Sequence, residues 1–222
     1  MTYNYQQSQK IISFSLWGNN PKYTIGAIRN AELALKIYPD WKCKFFIGKD
    51  VDKSIIDQLY SYPNTVFDLR PAIGDWRSMF WRFETSYDDH IDVSIFRDTD
   101  SRLNLREKYA VDEWLASDKT FHIMRDHPYH RFPILGGMWG FKNNPKYPMR
   151  KLLNSFNKEN KYGTDYQFFM EQLYPLIGDD KIVHDPFFDK IDFPQPRQNT
   201  EFVGDVFDEY DNRHPEYGSY IT

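Results

Sequence analysis

Two aspartates at a spacing of two residues, Asp98 and Asp100, directly follow the apolar run Val93–Phe96. Two carboxylates placed where a strand becomes a loop can reach a common ion. Mg²⁺ and Mn²⁺ take oxygen ligands and commonly share a site with substrate phosphates, and such an ion neutralises a diphosphate leaving group as a Lewis acid. An Asp-x-Asp triplet also occurs by chance in acidic chains, as a loop or a cap. Its position after an apolar strand favours the metal site.

The apolar pattern before the triplet predicts alternating strands and helices. Strands are predicted at 11–18, 42–48 and 65–69, and helices at 23–38 and 52–60. This order argues for a parallel sheet covered by helices. Right-handed crossovers then place a ligand cleft at the carboxyl ends of the strands, where the triplet lies.

The second half of the chain continues with shorter elements. Further strands are predicted at 93–96, at 121–124 and, interrupted by glycines, at 134–141; further helices are predicted at 75–84, 106–116, 147–156 and 165–173. The chain from Val183 onward is rich in proline, aspartate and aromatic residues, which predicts ordered, irregular chain wrapping the domain. We expect residues 1–10 to form a loose tail and residues 11–222 a single domain.

The composition excludes several classes of protein. The chain has 222 residues, of which 41 % are hydrophobic and 27 % charged, as in a globular protein. Its net charge of −4 and its scattered basic residues argue against a nucleic-acid partner. The single cysteine, Cys43, excludes an intrachain disulfide and is expected to be inert core. We predict neither a membrane span nor a signal peptide, which favours a cytoplasmic location.

The order of several short blocks resembles the GT-A-fold glycosyltransferases, in particular small stand-alone members from bacteria and large DNA viruses. The blocks are Met79–Phe83, which contains Arg82, then Arg97–Arg102 with the triplet, and then 134–139, 163–167 and 183–185. Together they cover roughly residues 11 to 185. The resemblance implies an α/β fold with a single GT-A-like (Rossmann-like) domain, whose open, mixed and mostly parallel sheet is flanked by helices.

The resemblance also implies a metal centre for Mn²⁺ or Mg²⁺. Asp98 and Asp100 match the metal- and ribose-binding carboxylates, with Asp100 the more direct ligand and Asp98 leaning toward the ribose. His184 matches a late metal ligand of many members, and neutral imidazole is an acceptable ligand for Mn²⁺. Asp185 is the competing choice for that role.

The donor-binding positions follow from the same match. Ser15 and Trp17, at the end of the first strand, match positions that hold the nucleoside. Arg82 matches an arginine that reaches the donor phosphate or sugar. Gly136 and Gly137 match a stretch where the backbone approaches the donor sugar, which only small residues permit.

Asp165 matches the carboxylate that serves as general base in inverting members and contacts the donor sugar in retaining ones. A base must lie within hydrogen-bond reach of the acceptor hydroxyl. An aspartate at a helix start is also a usual cap, and both roles can coexist. We favour the inverting outcome, because Asp165 offers a base and no nucleophile partner is evident.

The implied function is metal-dependent transfer of a sugar from a UDP- or GDP-linked donor to a hydroxyl of a glycan, lipid-linked or protein acceptor. A sugar-phosphate nucleotidyltransferase is the rival enzyme class, but it needs a glycine- and basic-rich loop after the first strand. Here that loop, 17–21, has one glycine and no arginine. A non-catalytic nucleotide- or glycan-binding module is the third alternative.

Two further features stay open. The polar cluster 125–130 follows a predicted strand and is interpreted as a donor or acceptor contact; a zinc site of Asp126, His127 and His130 and a solvated loop are the alternatives. Arg97 departs from the family pattern, and it is expected to pair with a phosphate or with Asp98.

Overall fold

A computed structural model describes residues 9–221, so most of the predicted tail lies outside the described residues. The described residues form seven strands: β1 (Lys10–Leu16), β2 (Lys42–Gly48), β3 (Thr65–Arg70), β4 (Val93–Phe96), β5 (Phe121–Met124), β6 (Trp139–Lys142) and β7 (Lys181–His184). The α-helices are α1 (Pro21–Ile37), α2 (Lys53–Tyr60), α3 (Leu105–Ala116), α4 (Met149–Ser155), α5 (Thr164–Phe168) and α6 (Tyr174–Ile177). A π-helical turn, Phe169–Leu173, joins α5 to α6, and 3₁₀ helices cover Trp76–Tyr87 and Tyr217–Tyr220.

The strands form one mixed sheet in the order β3-β2-β1-β4-β6-β5-β7. Neighbouring strands are parallel except at β6, which runs antiparallel to both β4 and β5. The carboxyl ends of β1 and β4 therefore lie side by side, with Ser13 opposite Phe96. The predicted α/β class and the mostly parallel, mixed sheet with flanking helices are confirmed.

Helix α1 shows how the local sequence builds the layer above the sheet. Asn20 caps it by accepting a hydrogen bond from the Lys22 amide, and Pro21 fits the first turn, where its missing N–H has no intrahelical partner. Its small buried face includes Ala27 and Ala31, which are fully buried in the core together with β1 and β2. Cys43 belongs to this core, and burial raises the pKa of its thiol to about 12, as expected for an inert residue.

Three elements differ from the sequence predictions. The interrupted strand at 134–141 is a strand only over Trp139–Lys142, because the residues around Gly136 and Gly137 form a turn beside the cleft. Strand β7 was not predicted, since Lys181–His184 is short and only half apolar. Residues 76–87 form a 3₁₀ helix that Asp75 and Ser78 cap reciprocally.

The chain beyond β7 wraps the domain without long regular elements, as predicted. Isolated bridges tie it to the body, among them one between Ser101 and Val206. The described residues contain no helix that is both long and apolar enough to cross a membrane.

Candidate active site

The carboxyl ends of β1 and β4 border a cleft of about 550 Å³. The first wall comes from β1 and the loop after it, and the floor from the Asp98–Ser101 loop after β4. The turn around Gly136 and Gly137, the start of α5 and the C-terminal wrap complete the lining. The cleft-lining residues predicted from sequence are Ser15, Trp17, Arg82, Asp98, Asp100, Gly136, Gly137 and Asp165.

The loop that carries the two aspartates is fixed from both sides. The Asn30 side chain, on α1, donates hydrogen bonds to the carbonyl oxygens of Thr99 and Ser101 at 3.3 and 2.8 Å. From the C-terminal wrap, the Phe207 amide donates to the Asp100 carbonyl at 2.8 Å. A Cβ on Gly26 would overlap the Thr99 carbonyl oxygen, so glycine there lets α1 approach the loop.

Arg82 joins the triplet to Asp165. Its guanidinium is buried, forms an ion pair with Asp98, donates to the Arg97 carbonyl at 3.0 Å, and lies 4.0 Å from the Asp165 carboxylate. Ser15 accepts a hydrogen bond from the Arg82 amide at 3.0 Å, which fixes the 3₁₀ helix against β1. One immobilised cation thus orients Asp98 and lies within ion-pair distance of Asp165.

Asp165 is 4 % exposed at the start of α5. Burial raises the pKa of its carboxyl to about 6; Arg82 opposes this shift, and the like charge of Asp98 adds to it. A carboxylate with this pKa is largely ionised at neutral pH and is still basic enough to accept a proton from a hydroxyl in the transition state.

Gly136 and Gly137 were expected to let the backbone approach the donor sugar. In the structure, the groups that leave no room for a side chain at these positions are two carboxylates. A Cβ on Gly136 would overlap the Asp165 carboxylate, and a Cβ on Gly137 would overlap the Asp98 carboxylate. Both residues line the cleft, but their close neighbours are these carboxylates. Glycine is required there because the two acidic side chains lie against the backbone.

Asp100 forms an ion pair with a lysine side chain. Lys22, in the first turn of α1, places its Nζ 2.8 Å from Asp100 Oδ2. Burial and the neighbouring Asp98 raise the pKa of the Asp100 carboxyl, and Lys22 opposes that rise. Asp98, by contrast, is half exposed toward the cleft.

These carboxylates fit a divalent cation held jointly with a ligand. Within the described residues, no three His, Cys, Asp or Glu side chains are grouped as a complete metal site. Two carboxylates are nevertheless the usual protein contribution to Mg²⁺, which fills its remaining positions with water and substrate phosphates. The oxygen-only pair Asp98 and Asp100, in an open cleft, matches that pattern.

The structure does not bring His184 to this pair. In the sheet order, β7 lies three strand positions from β4, which is about 14 Å across the sheet. His184 is buried, its Nδ1 lies 2.9 Å from Nε2 of His122, and its Nε2 lies 3.7 Å from Glu113. His184 does not line the cleft.

Asp185, the competing choice, is also directed elsewhere. Its carboxylate is fully buried and pairs with Arg125 at 2.7 Å. It also accepts hydrogen bonds from the amides of Phe187, Phe188 and Asp189, so it closes the turn after β7.

The polar cluster after β5 splits into two roles. His127, Tyr129 and His130 line the cleft, and burial lowers the pKa of His130 to about 3, so its ring is neutral. Asp126 is directed away from the cleft and binds Arg106 at 2.8 Å and the Val203 amide at 2.9 Å. The loop therefore shapes a cleft wall and anchors the C-terminal wrap, and the zinc interpretation has no ligand group to support it among residues 9–221.

Arg97 turns out to be structural. Its guanidinium is buried on the side of the sheet covered by α3, where it pairs with Glu107 at 3.2 Å and donates to the Trp139 carbonyl. The Tyr38 hydroxyl donates to the same glutamate at 2.9 Å. The expectation that Arg97 pairs with Asp98 or with a phosphate was wrong, because the two side chains leave the strand end on opposite faces.

Sequence reasoning missed Lys22 and much of the aromatic lining. Trp76, Tyr162 and Tyr166 line the cleft near Asp165, and Phe202 and Tyr217 line it from the C-terminal wrap. Aromatic residues make up 18 % of the chain. This high content was the available signal, but it could not say which rings reach the cleft.

No family model matches the sequence, and no curated protein is significantly similar to it. Solved structures, in contrast, share its fold. A glycosyltransferase involved in glycosylation of the major capsid of PBCV-1 superposes with a TM-score of 0.54 at 14 % identity, over 81 % of this chain and 82 % of that chain. The galactosyltransferase LgtC, in complex with donor and acceptor sugar analogues, gives 0.52 at 11 % identity over 80 % and 74 %.

A third similar structure is that of an enzyme named for a different reaction. The 4-diphosphocytidyl-2C-methyl-D-erythritol synthase from Anaerococcus prevotii superposes with a TM-score of 0.54 at 14 % identity, over 85 % of this chain and 91 % of that chain. Likeness at these identities describes architecture, and architecture alone does not fix the reaction. The chain has the fold of the GT-A-type glycosyltransferases.

Proposed function

We propose that this protein is a metal-dependent glycosyltransferase that moves a sugar from a nucleotide-diphosphate donor to an acceptor hydroxyl with inversion. The observation that carries the proposal is the linkage of Asp165, through Arg82, to Asp98 of the triplet in one cleft. A base with a pKa near 6 thereby lies beside two carboxylates suited to a divalent cation.

Each residue has a part in this proposal. Asp98 and Asp100 hold Mg²⁺ or Mn²⁺, which supplies Lewis-acid neutralisation of the diphosphate leaving group when bound. Arg82 orients Asp98 and limits the rise in the pKa of Asp165. Asp165 accepts the proton of the acceptor hydroxyl as that oxygen attacks the anomeric carbon and the bond to the diphosphate breaks.

The charge balance of the cleft supports a requirement for the cation. Three carboxylates, Asp98, Asp100 and Asp165, face two cationic side chains, Arg82 and Lys22, which leaves one net negative charge. Among the described residues that line the cleft, Arg82 is the only lysine or arginine. A diphosphate entering without a divalent cation would therefore meet net repulsion.

The likeness to the diphosphocytidyl-methylerythritol synthase gives the alternative, nucleotidyl transfer, a specific basis. The loop after β1 opposes it. The Gly18 amide donates to one Asp50 carboxylate oxygen at 2.9 Å, and the Gly74 amide donates to the other at 3.1 Å. In the loop after β1, the Gly18 amide is therefore already occupied by a carboxylate, whereas a triphosphate-binding loop needs its backbone donors free.

The test is calorimetric titration of UDP, GDP and their sugar conjugates, with Mn²⁺ and with a chelator. We expect binding of one diphosphate that depends on Mn²⁺ and that Asp100→Ala abolishes. Asp165→Asn should keep that binding and lose sugar transfer. The absence of diphosphate binding under both conditions would contradict the proposal, and transfer by Asp165→Asn would remove the base assignment.

A further inference from the structure

Lys22 is held at the rim of the cleft by the start of α1. The Asn20 side chain accepts the Lys22 amide hydrogen bond at 3.1 Å and so fixes the backbone of this residue. Its neighbours Asn20 and Tyr23 both line the cleft. The Lys22 ammonium lies 2.8 Å from Asp100 and 5.2 Å from the centroid of the Tyr23 ring. The fold therefore fixes the backbone position from which the Lys22 side chain reaches Asp100.

Arg82, in the cleft lining, and Lys22, at its rim, differ in mobility. The Arg82 side chain is only 5 % exposed, and its guanidinium is bound at once to Asp98 and to the Arg97 carbonyl. The Lys22 side chain is 32 % exposed, and it ends in a flexible four-carbon stem with rotatable donors. Lys22 is thus the cation that can change partners without disturbing buried contacts.

When it is ionised, Asp100 is stabilised by a positive partner. Its side chain is 14 % exposed and lies beside the like charge of Asp98. A buried carboxylate left without a counter-charge is strongly unfavourable. Lys22 supplies that charge in the structure, and a divalent cation bound to Asp100 would supply it instead.

We propose that Lys22 exchanges partners during donor binding: it neutralises Asp100 in the free protein and binds the donor diphosphate once a divalent cation takes its place. This inference rests on the proposed function. A metal alone must displace the ammonium, and a diphosphate alone would draw Lys22 away and leave Asp100 unpaired. When both ligands bind, the divalent cation neutralises Asp100 and the diphosphate neutralises Lys22. Each ligand therefore strengthens the binding of the other.

The experiment measures this coupling directly. Mn²⁺ binding is followed by the electron paramagnetic resonance signal of free Mn²⁺, and UDP and GDP binding by calorimetry with and without Mn²⁺. The variants are Lys22→Met and Lys22→Gln. The control is Lys36→Met, which removes an exposed lysine from the last turn of the same helix.

In the Lys22 variants, Mn²⁺ alone should bind about tenfold more tightly, because no ammonium competes for Asp100. The diphosphate should bind about tenfold more weakly in the presence of Mn²⁺, because one charge-assisted hydrogen bond is lost. The coupling between the two ligands should fall accordingly, and Lys36→Met should behave as the unmodified protein.

Failure of the proposed function and failure of the Lys22 exchange would give different results. If the unmodified protein binds neither diphosphate with Mn²⁺, the proposed function fails and the exchange fails with it. If it binds one of them and the Lys22 variants show unchanged coupling, the exchange alone is refuted. Weaker Mn²⁺ binding in both variants would also overturn the exchange, since it would make Lys22 a support of the metal site.

Discussion

Replacing Arg82 by glutamine should shift the pKa of Asp165 upward. The Arg82 Nη2 atom lies 4.0 Å from Asp165 Oδ2, and both side chains are 5 % exposed. Two unit charges at that distance interact by about 4 kcal/mol at an effective dielectric constant of about 20, which corresponds to about 3 pKa units. Water entering beside glutamine reduces this effect. We therefore expect the pKa to rise from about 6 to about 8.

The consequence for catalysis has a definite sign. The base must be ionised to accept a proton, so kcat/KM falls as the pH drops through its pKa. In the unmodified protein, the acid limb should have its midpoint at about pH 6. In Arg82→Gln it should lie near pH 8, so that about a tenth of the base is ionised at pH 7 and activity recovers at higher pH.

Two measurements test this shift independently. The carboxyl carbon of Asp165 can be titrated by NMR in protein labelled with ¹³C-aspartate, with Asp165→Asn identifying the signal, and the pH profile of sugar transfer gives the kinetic value. Arg82→Lys is the matched control, because it keeps the charge and should titrate close to the unmodified protein. A signal that titrates near the ordinary aspartate value of 3.8, or one that Arg82→Gln leaves in place, would refute the electrostatic reasoning.

Three further predictions concern stability and assembly of the site. Because the pKa of Asp165 is raised on folding, its ionisation removes stability as the pH rises from about 4 to about 6, so Asp165→Asn should increase the free energy of unfolding at pH 7 by up to about 3 kcal/mol. Urea unfolding checks this, and a gain of equal size at pH 3 would contradict it. Gly137→Ala should displace Asp98, weaken Mn²⁺-dependent diphosphate binding at least several-fold and cost about 1–3 kcal/mol of stability; calorimetry showing unchanged binding would exclude the close approach. His184→Ala should leave that binding unchanged yet lower the free energy of unfolding by about 1–3 kcal/mol, because His122 loses its buried partner. Loss of Mn²⁺ affinity in that variant would return His184 to the metal centre.

The predictable part of the fold is the part specified by local patterns. Strands β2, β4 and β5 lie where their apolar runs predicted, and α1 begins at its asparagine cap and proline. Strand β7 escaped prediction, because its pairing with β5 comes from tertiary contact that no local period records.

The candidate site also has a part that the sequence predicts and a part that depends on tertiary contacts. The alternating strands and helices of the sequence predict parallel strands, whose carboxyl ends lie at the same end of the sheet. That β1 and β4 are direct neighbours there is a finding of the structure. His184 also follows a strand, but its distance from Asp98 depends on strand order across the sheet, and the sequence does not state that order. The partners of Arg97 and Lys22 were equally inaccessible, because side-chain direction at a strand end or helix start depends on packing.

The reversed strand β6 explains why the cleft has carboxylates on two sides. Because β6 runs antiparallel to β4, with Trp139 opposite Phe96, the chain entering β6 meets the chain leaving β4 at the same edge of the sheet. The turn with Gly136 and Gly137 is that entering chain, and it brings the backbone against Asp98 and Asp165. A parallel strand at this place would enter from the opposite edge and leave Asp98 without that wall. The antiparallel direction of β6 brings the turn to this end of the sheet, and the two glycines let its backbone contact Asp98 and Asp165. The close approach of the triplet to Asp165 depends on both features.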